Sequence, residues 1–424
     1  MANSTAPNDL LQHVWLPYTQ MRTARQPLEA VSTQGSLIRL KDGRELIDGI
    51  ASWWTACHGY NHPHIQAALR DQLEKMPHVM FGGLVHEPAL RLAERLAQKT
   101  PGDLNHVFFV DSGSVAVEVA MKMAVQYWLN RGERGRAKMV SFRYGYHGDT
   151  MACMSVCDPD ESMHSLFKDY LPKQILAELP VDPASEQTFD DLLARNRNQI
   201  AAVLIEPLVQ GAGGMKFHSP EVLRRVAQVC AHHGVLLIAD EIFVGFGRMG
   251  THFACEQAGI TPDILCLGKG LTGGALSLAA TVARPQVYEA FLSDDPARSL
   301  MHGPTFMANP LACAAANASL DLFETEPRLS QVAAIETQLR EGLAPCAQIR
   351  GVLDVRVKGA IGVVQCATLG DTAALRATFA EKGFWIRPFA DIVYLTPAFT
   401  IGKDQLAALT TAICETLPEW LSRS

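Results

Sequence analysis

An α/β fold with a smaller α+β unit beside it is predicted by three features of the sequence. From about residue 64, stretches with helical spacing alternate with short, nearly continuous apolar runs. The runs are too short for helices and lack polar alternation, so they read as mainly parallel strands buried on both faces. After about residue 325 the texture changes to a long helical stretch followed by short strand-like runs, as expected of a separate unit.

Each element follows in order. Residues 36–48, SLIRLKDGRELID, alternate apolar and polar around Asp42-Gly43 and predict a β-hairpin. HIQAALRDQLEKM (64–76) and PALRLAERLAQKT (88–100) have helical spacing. HVFFVD (106–111) reads as a buried strand, and after SGS a long helix is predicted over VAVEVAMKMAVQYWLN (115–130). KMVSF (138–142), AAVLIEP (201–207), GVLLIADEI (234–242) and DILCLG (263–268) continue the strand series. LSQVAAIETQLREGLA (329–344) predicts a helix, and GVLDVRVKG (351–359), IGVVQCA (361–367) and IVYLTP (392–397) predict strands. LAALTTAICETLPEWL (406–421) closes the chain as a helix. The N-terminal hairpin is expected to pack with this last unit. The expected division is residues 1–60 and 326–424 in a small discontinuous domain and residues 61–325 in a large one.

Composition narrows the function. Of 424 residues, 48% are hydrophobic and 19% charged, enough apolar material for a large core. A net charge of −7 argues against nucleic-acid binding through phosphate contacts and against a basic membrane anchor. No apolar run reaches the length of a transmembrane helix. The N-terminus, MANSTAPNDLLQHVWLPYTQ, lacks the basic start and apolar stretch of a secretory signal, and Asp9 with a first arginine only at Arg22 argues against a transit peptide. Ten cysteines without a CxxC pair predict reduced thiols and a cytoplasmic setting. Cys153 and Cys157 have no second pair at ligand spacing, so no metal centre is expected.

Functional groups of open α/β sheets gather at the carboxyl ends of strands. Asp240 ends the run VLLIA, well placed to face a crevice or simply to cap the next turn. Lys269 follows a strand among Gly268, Gly270, Gly273 and Gly274. It reads as a solvated loop lysine or as a desolvated Schiff-base lysine. Ser112-Gly113-Ser114 stands between strand and helix, suited to a phosphate or to ordinary capping. Together the three fit one ligand, pyridoxal phosphate, which needs an anion site, an imine-forming lysine and a carboxylate for its ring nitrogen. Tyr146, in YGYHGD, is the candidate to stack on the ring.

Competing motifs are present. Residues 245–250 match GxGxxG, but only a weak helix follows, against a dinucleotide fold and a dehydrogenase. His58 and His62 form HxxxH, but Pro63 breaks the helix that such a metal site wants, so loop and capping roles are expected. Trp53-Trp54 reads as buried core or as one wall of a pocket, with core favoured from spacing alone.

ADEIFVGFGR (239–248) with Lys269 downstream resembles the class III transaminases of the fold-type I pyridoxal-phosphate enzymes, over nearly the whole chain. A narrower resemblance is to the biotin-pathway branch of that family. HVWLPYTQM, IASWWTACHGYNHP, HVMFGG, DSGSVAVEVAMKMAVQYW, MSVCDP, MHGPTFMANPLACAAANASL and FWIRPF carry it. The resemblance implies a seven-stranded type of sheet, a homodimer, S-adenosyl-L-methionine as amino donor and 8-amino-7-oxononanoate as acceptor. Another class III donor (lysine, an ω-amino acid or a diamine) is the alternative. A scaffold on a retired enzyme fold is disfavoured because Lys269 and Asp240 are both present.

The same resemblance implies roles. Lys269 would hold the cofactor and move the proton, and Asp240 would pair with the ring nitrogen. Gly113 and Ser114 would bind phosphate, and Tyr146 would stack on the ring and touch substrate. Gly303, Pro304 and Thr305 would serve the partner subunit's site, Thr305 at the phosphate. Tyr18, Trp53 and Tyr394 would line the substrate pocket, with Tyr18 close to the chemistry. Arg387 would hold the substrate carboxylate. Glu206 and Arg248 stand second, for support and pocket edge. Many relatives carry smaller or hydroxyl residues at Phe243 and Val244, Thr at Met249 and Gly at Ala308, departures that bear on the pocket.

Overall fold

In chain order the strands are β1 (Ala30–Gln34), β2 (Leu37–Leu40), β3 (Glu45–Asp48), β4 (His106–Val110), β5 (Lys138–Phe142), β6 (Ile175–Ala177), β7 (Ile200–Ile205) and β8 (Val209–Gln210). They continue as β9 (Lys216–Phe217), β10 (Leu236–Asp240), β11 (Ile264–Leu267), β12 (Ala279–Ala283), β13 (Val352–Lys358), β14 (Ile361–Cys366), β15 (Phe384–Trp385) and β16 (Ile392–Leu395). The structure is a computed structural model that describes residues 9–160 and 163–423. The few remaining residues of the expected segments 1–60, 61–325 and 326–424 lie outside the described residues.

The fold is α/β. Seven strands form the central sheet in the order β4-β12-β11-β10-β7-β5-β6. From β11 to β6 every neighbour is parallel. β12 runs antiparallel between β11 and β4. The apolar runs that predicted parallel strands are buried throughout in β7, β10 and β11. Successive side chains of a strand point to opposite faces. Leu237 and Ala239 of β10 accordingly join one core, and Leu236 and Ile238 join the other. Helix Gly113–Asn130 packs on the second of these cores through Ala116, Val119, Ala120 and Met123.

The predicted hairpin forms as β2 and β3, and Gly43 in its turn has φ 89°. β1 adds an antiparallel strand on one side. Its residues are mostly exposed, which is why no buried alternation marked it. On the other side β15 pairs parallel to β3, Phe384 opposite Ile47. One four-stranded sheet thus joins the two ends of the chain. β13, β14 and β16 form a separate antiparallel sheet. Helix Lys403–Arg423 spans the predicted closing helix.

Candidate active site

The carboxyl ends of β7, β10 and β11 open on a cavity of about 210 Å³, lined among others by Trp54, Ser114, Tyr146, Asp240, Phe243 and Lys269. Three of the residues singled out from strand ends therefore meet in one place. Lys269 stands just past β11 in the left-handed region (φ 43°), its Nζ 4.7 Å from the centre of the Trp54 ring. Burial holds the Lys269 ammonium below its ordinary range, while the charges of Asp240, Glu206 and Asp149 oppose the shift. A partly desolvated amine of this kind is a usable nucleophile.

Asp240 ends β10 and is buried. Its Oδ2 lies 2.9 Å from His147 Nδ1, and its Oδ1 accepts the Ile242 N–H at 3.1 Å. Glu206 follows β7 and accepts two backbone N–H groups, from Tyr146 at 3.0 Å and Gly211 at 2.9 Å. Burial pushes its carboxyl up to about 7. These bonds fix the loop that carries Tyr146.

Asp149 gathers the rest of that loop. It accepts the Tyr146 hydroxyl at 2.8 Å and the Tyr18 hydroxyl, and pairs with His164 at 3.2 Å. The His164 bond is the chief cause that holds the Asp149 carboxyl down at about 2. The Asp149 N–H donates to Ser114 Oγ at 3.1 Å. The Tyr146 ring stacks on His164, centroids 5.9 Å apart.

At the other end of the cavity, helix Gly113–Asn130 begins. Ser112 caps it, accepting the Val115 N–H at 3.4 Å. Gly113 and Ser114 line the cavity at the helix end that favours an anion. A Cβ at Gly113 would come within 2.9 Å of Ile242 Cγ2, so the close approach of strand and helix here requires glycine. An anion seat, a buried amine and a buried carboxylate share one cavity walled by Trp54 and Tyr146. That donor set fits pyridoxal phosphate.

A second, open cleft of about 1000 Å³ adjoins this wall. It is lined by residues 16–28, by Trp53, by residues of helix Thr372–Glu381 and by Arg387. The Arg387 guanidinium lies 4.6 Å above the Trp53 ring, and Tyr18 meets that ring edge-on at 6.1 Å. Tyr18 is 56% exposed. Burial of its ring and the bond to Asp149 push its phenol up to about 12.

Of the two readings of Trp53-Trp54, pocket wall holds for both rings, although Trp54 also packs against the core. Ala51, Ser52, Trp53 and Trp54 have φ of 47°, 47°, 54° and 75°. Such left-handed backbone costs roughly 1–2 kcal/mol per residue. The turn is held by Asp48, whose carboxylate accepts the Ile50 N–H at 2.8 Å, the Ser52 N–H at 3.1 Å and the Tyr60 hydroxyl at 2.5 Å. It turns Trp53 to the cleft and Trp54 to the cavity. Periodicity arguments assume right-handed helix or extended strand and miss this.

Other expectations fare differently. Tyr394 is 1% exposed and lines neither space; it backs Trp54 at 6.4 Å and Phe389 at 5.5 Å. Gly303, Pro304 and Thr305 reach neither space within one chain, and Gly303 and Thr305 are exposed. Arg248 is no pocket edge: it is buried, donates to Pro397 O at 2.7 Å and Ala360 O at 3.3 Å, and lies over Phe399. Phe243 and Val244 do line the cavity, Phe243 packing on Trp54 at 4.1 Å, while Met249 and Ala308 are buried outside it. His62 caps helix Pro63–Lys75, and His58 bonds Ser319 and Arg328. The GxGxxG stretch is a series of turns. His147, Asp149 and His164 were not singled out. Two of them carry a signal, since His147 and Asp149 flank Tyr146 closely in YGYHGD.

Comparison with known proteins agrees with this geometry. The family described as Aminotransferase class-III matches residues 19–417. The adenosylmethionine-8-amino-7-oxononanoate aminotransferase of Mycobacterium leprae is 47% identical, covering 95% of this chain and 94% of its own. The crystal structure of the enzyme of that name from Methanocaldococcus jannaschii superposes with a TM-score of 0.92 at 32% identity, covering 96% of this chain and 97% of its own. An amine transaminase from an uncultivated Pseudomonas species, solved in its PLP-bound form, superposes with a TM-score of 0.87 at 31% identity, covering 94% and 97%.

Proposed function

The chain belongs to the class-III aminotransferases, and from that membership we infer that it transfers an amino group from S-adenosyl-L-methionine to 8-amino-7-oxononanoate, giving 7,8-diaminononanoate in biotin biosynthesis. The observation that carries this reading is the 47% identity over 95% of the chain to a relative of that name, joined to a cavity holding every group the cofactor needs. The cofactor is pyridoxal phosphate. When bound, it supplies an aldehyde that takes up the amine and a ring that accepts electrons.

The chain's own residues do the rest. Lys269 Nζ would hold the cofactor at its aldehyde carbon and, as a free amine, would take the proton from the donor carbon. Asp240, fixed by His147, keeps a ring nitrogen protonated. Gly113 and Ser114 seat the phosphate at the helix N-terminus. Tyr146 covers the ring, held from behind by Glu206 and from its hydroxyl by Asp149. Tyr18 closes the site from the N-terminal segment and shares Asp149 with Tyr146. Trp53 and Arg387 receive the substrates, Arg387 holding the acceptor through its carboxylate. Tyr394 supports the Trp54 wall. Donor and acceptor use one site in turn, so ping-pong kinetics follow.

A cytoplasmic homodimer and the division into residues 1–60 with 326–424 and 61–325 belong to the same proposal. What supports the dimer is that Gly303, Pro304 and Thr305 reach neither space in their own chain, which leaves them to serve a second copy. Among the described residues no helix is long and apolar enough to cross a membrane. The test is single-turnover absorption of the cofactor-loaded protein. S-adenosyl-L-methionine alone should discharge the visible cofactor band, and 8-amino-7-oxononanoate should restore it. A band that ignores this donor but responds to lysine or another amine would assign a different member of the family.

A further inference from the structure

The outer cleft carries more positive charge than its own carboxylates use. Arg25, Arg44, Arg376 and Arg387 line it, against Asp371 and Glu381. Two of the four are committed: Arg25 pairs with Asp371 at 3.6 Å and Arg44 with Asp42 at 2.7 Å. Among the described residues, Arg376 and Arg387 have neither an ion pair nor a hydrogen bond, and Arg387 rests only on the Trp53 ring. Burial is the main cause that holds Arg387 below its ordinary range, and the charge of Arg376 acts in the same direction. Two half-buried guanidinium groups that repel each other without a counter-ion are a seat for an anion.

The reaction suggests which anion this cleft receives. In the donor, the carboxylate sits on the carbon that bears the reacting amine. In the acceptor, it sits at the opposite end of the chain from the reacting carbonyl. The acceptor's carboxylate therefore comes to rest away from the reacting carbon, in the outer cleft that Arg376 and Arg387 both line. Arg387 stands over Trp53, beside the tyrosine that reaches Asp149. Arg376 stands on helix Thr372–Glu381, a wall with no part in the inner cavity.

On the function inferred above, we propose that Arg376 is a second carboxylate-binding residue, which together with Arg387 seats the far carboxylate of the acceptor and so selects a long keto acid. Steady-state kinetics of Arg376→Gln test this. The acceptor KM should rise about tenfold, as for a lost charge-assisted bond, while the donor KM changes less than twofold. The preference for the acceptor over its terminal carboxamide should shrink by about the same factor, a readout that general loosening would not move, and Arg376→Lys should recover most of it. An acceptor KM within twofold of wild type, or equal rises for donor and acceptor, overturns the assignment of Arg376 alone. A wild-type protein that refuses the acceptor altogether overturns this assignment and the functional reading together.

Discussion

The inner cavity and the outer cleft share a wall but are built on opposite terms. At the cavity the carboxylates have fixed partners, Asp240 with His147, Glu206 with two backbone amides and Asp149 with Tyr146, Tyr18 and His164, while Lys269 rests on the Trp54 ring. These groups stand at strand ends or on loops tied to them, which gives the precision that bond-breaking chemistry needs. In the cleft, the walls are a segment near the N-terminus, a helix near the C-terminus and two arginines without anionic partners. The difference separates what both half-reactions have in common from what distinguishes their substrates. Steps shared by donor and acceptor use pre-paired groups, and discrimination is left to charges that only a substrate completes.

Three substitutions would break or sharpen that contrast. Lys269→Ala strikes the step common to both half-reactions, so turnover should fall roughly 10⁴-fold or more with either substrate varied. Dialysis followed by cofactor absorbance should still find some pyridoxal phosphate, held by the helix N-terminus, and full activity would remove Lys269 from the chemistry. Glu206→Gln probes the pre-paired side through pH. Burial raises the Glu206 pKa from 4.5 to about 7 in the folded protein. Its contribution to stability is therefore complete below 4.5 and is lost as pH rises through 7. The stability of wild type relative to the Gln variant should decline by on the order of 3 kcal/mol across that window, read by urea unfolding at several pH values. Parallel curves would show that burial does not set this titration. Arg387→Ala acts on the open side. It should lower kcat/KM for the acceptor about 10- to 100-fold. If the donor half-reaction fell by as much, the cleft would not be the discriminating region.

The two regions were also unequally legible in the sequence. Asp240, Lys269 and Gly113-Ser114 announced themselves because strand ends of an apolar parallel sheet have one destination. Their partners were quieter. His147 and Asp149 sit within three residues of Tyr146, but nothing in a short polar loop says which side chain turns inward. The cleft was legible only through the family resemblance, because it joins segments more than 300 residues apart, such as Tyr18 and Arg387. Trp53-Trp54 misled by spacing, since a left-handed turn obeys neither helical nor strand periodicity. Arg248, given a pocket edge by the resemblance, instead lies on a turn that folds inward, where its guanidinium binds carbonyls. The predicted hairpin formed as expected, but its third and fourth strands were not foreseen, one too exposed and one too short to show a pattern.

The parallel pairing of β15 with β3 has a consequence for how the chain comes off the ribosome. Synthesis delivers the first three strands of that sheet early and the fourth almost last. During that interval the β3 edge, Glu45–Asp48, displays unpaired amides and carbonyls. Asp48 organises the left-handed turn from the same strand, so the tryptophan wall is anchored on a strand that β15 flanks. A truncated product would carry all the residues of the inner cavity and still present an open, adhesive strand to its neighbours. The first hairpin thus gains its last neighbour only from a segment more than 330 residues further along the chain.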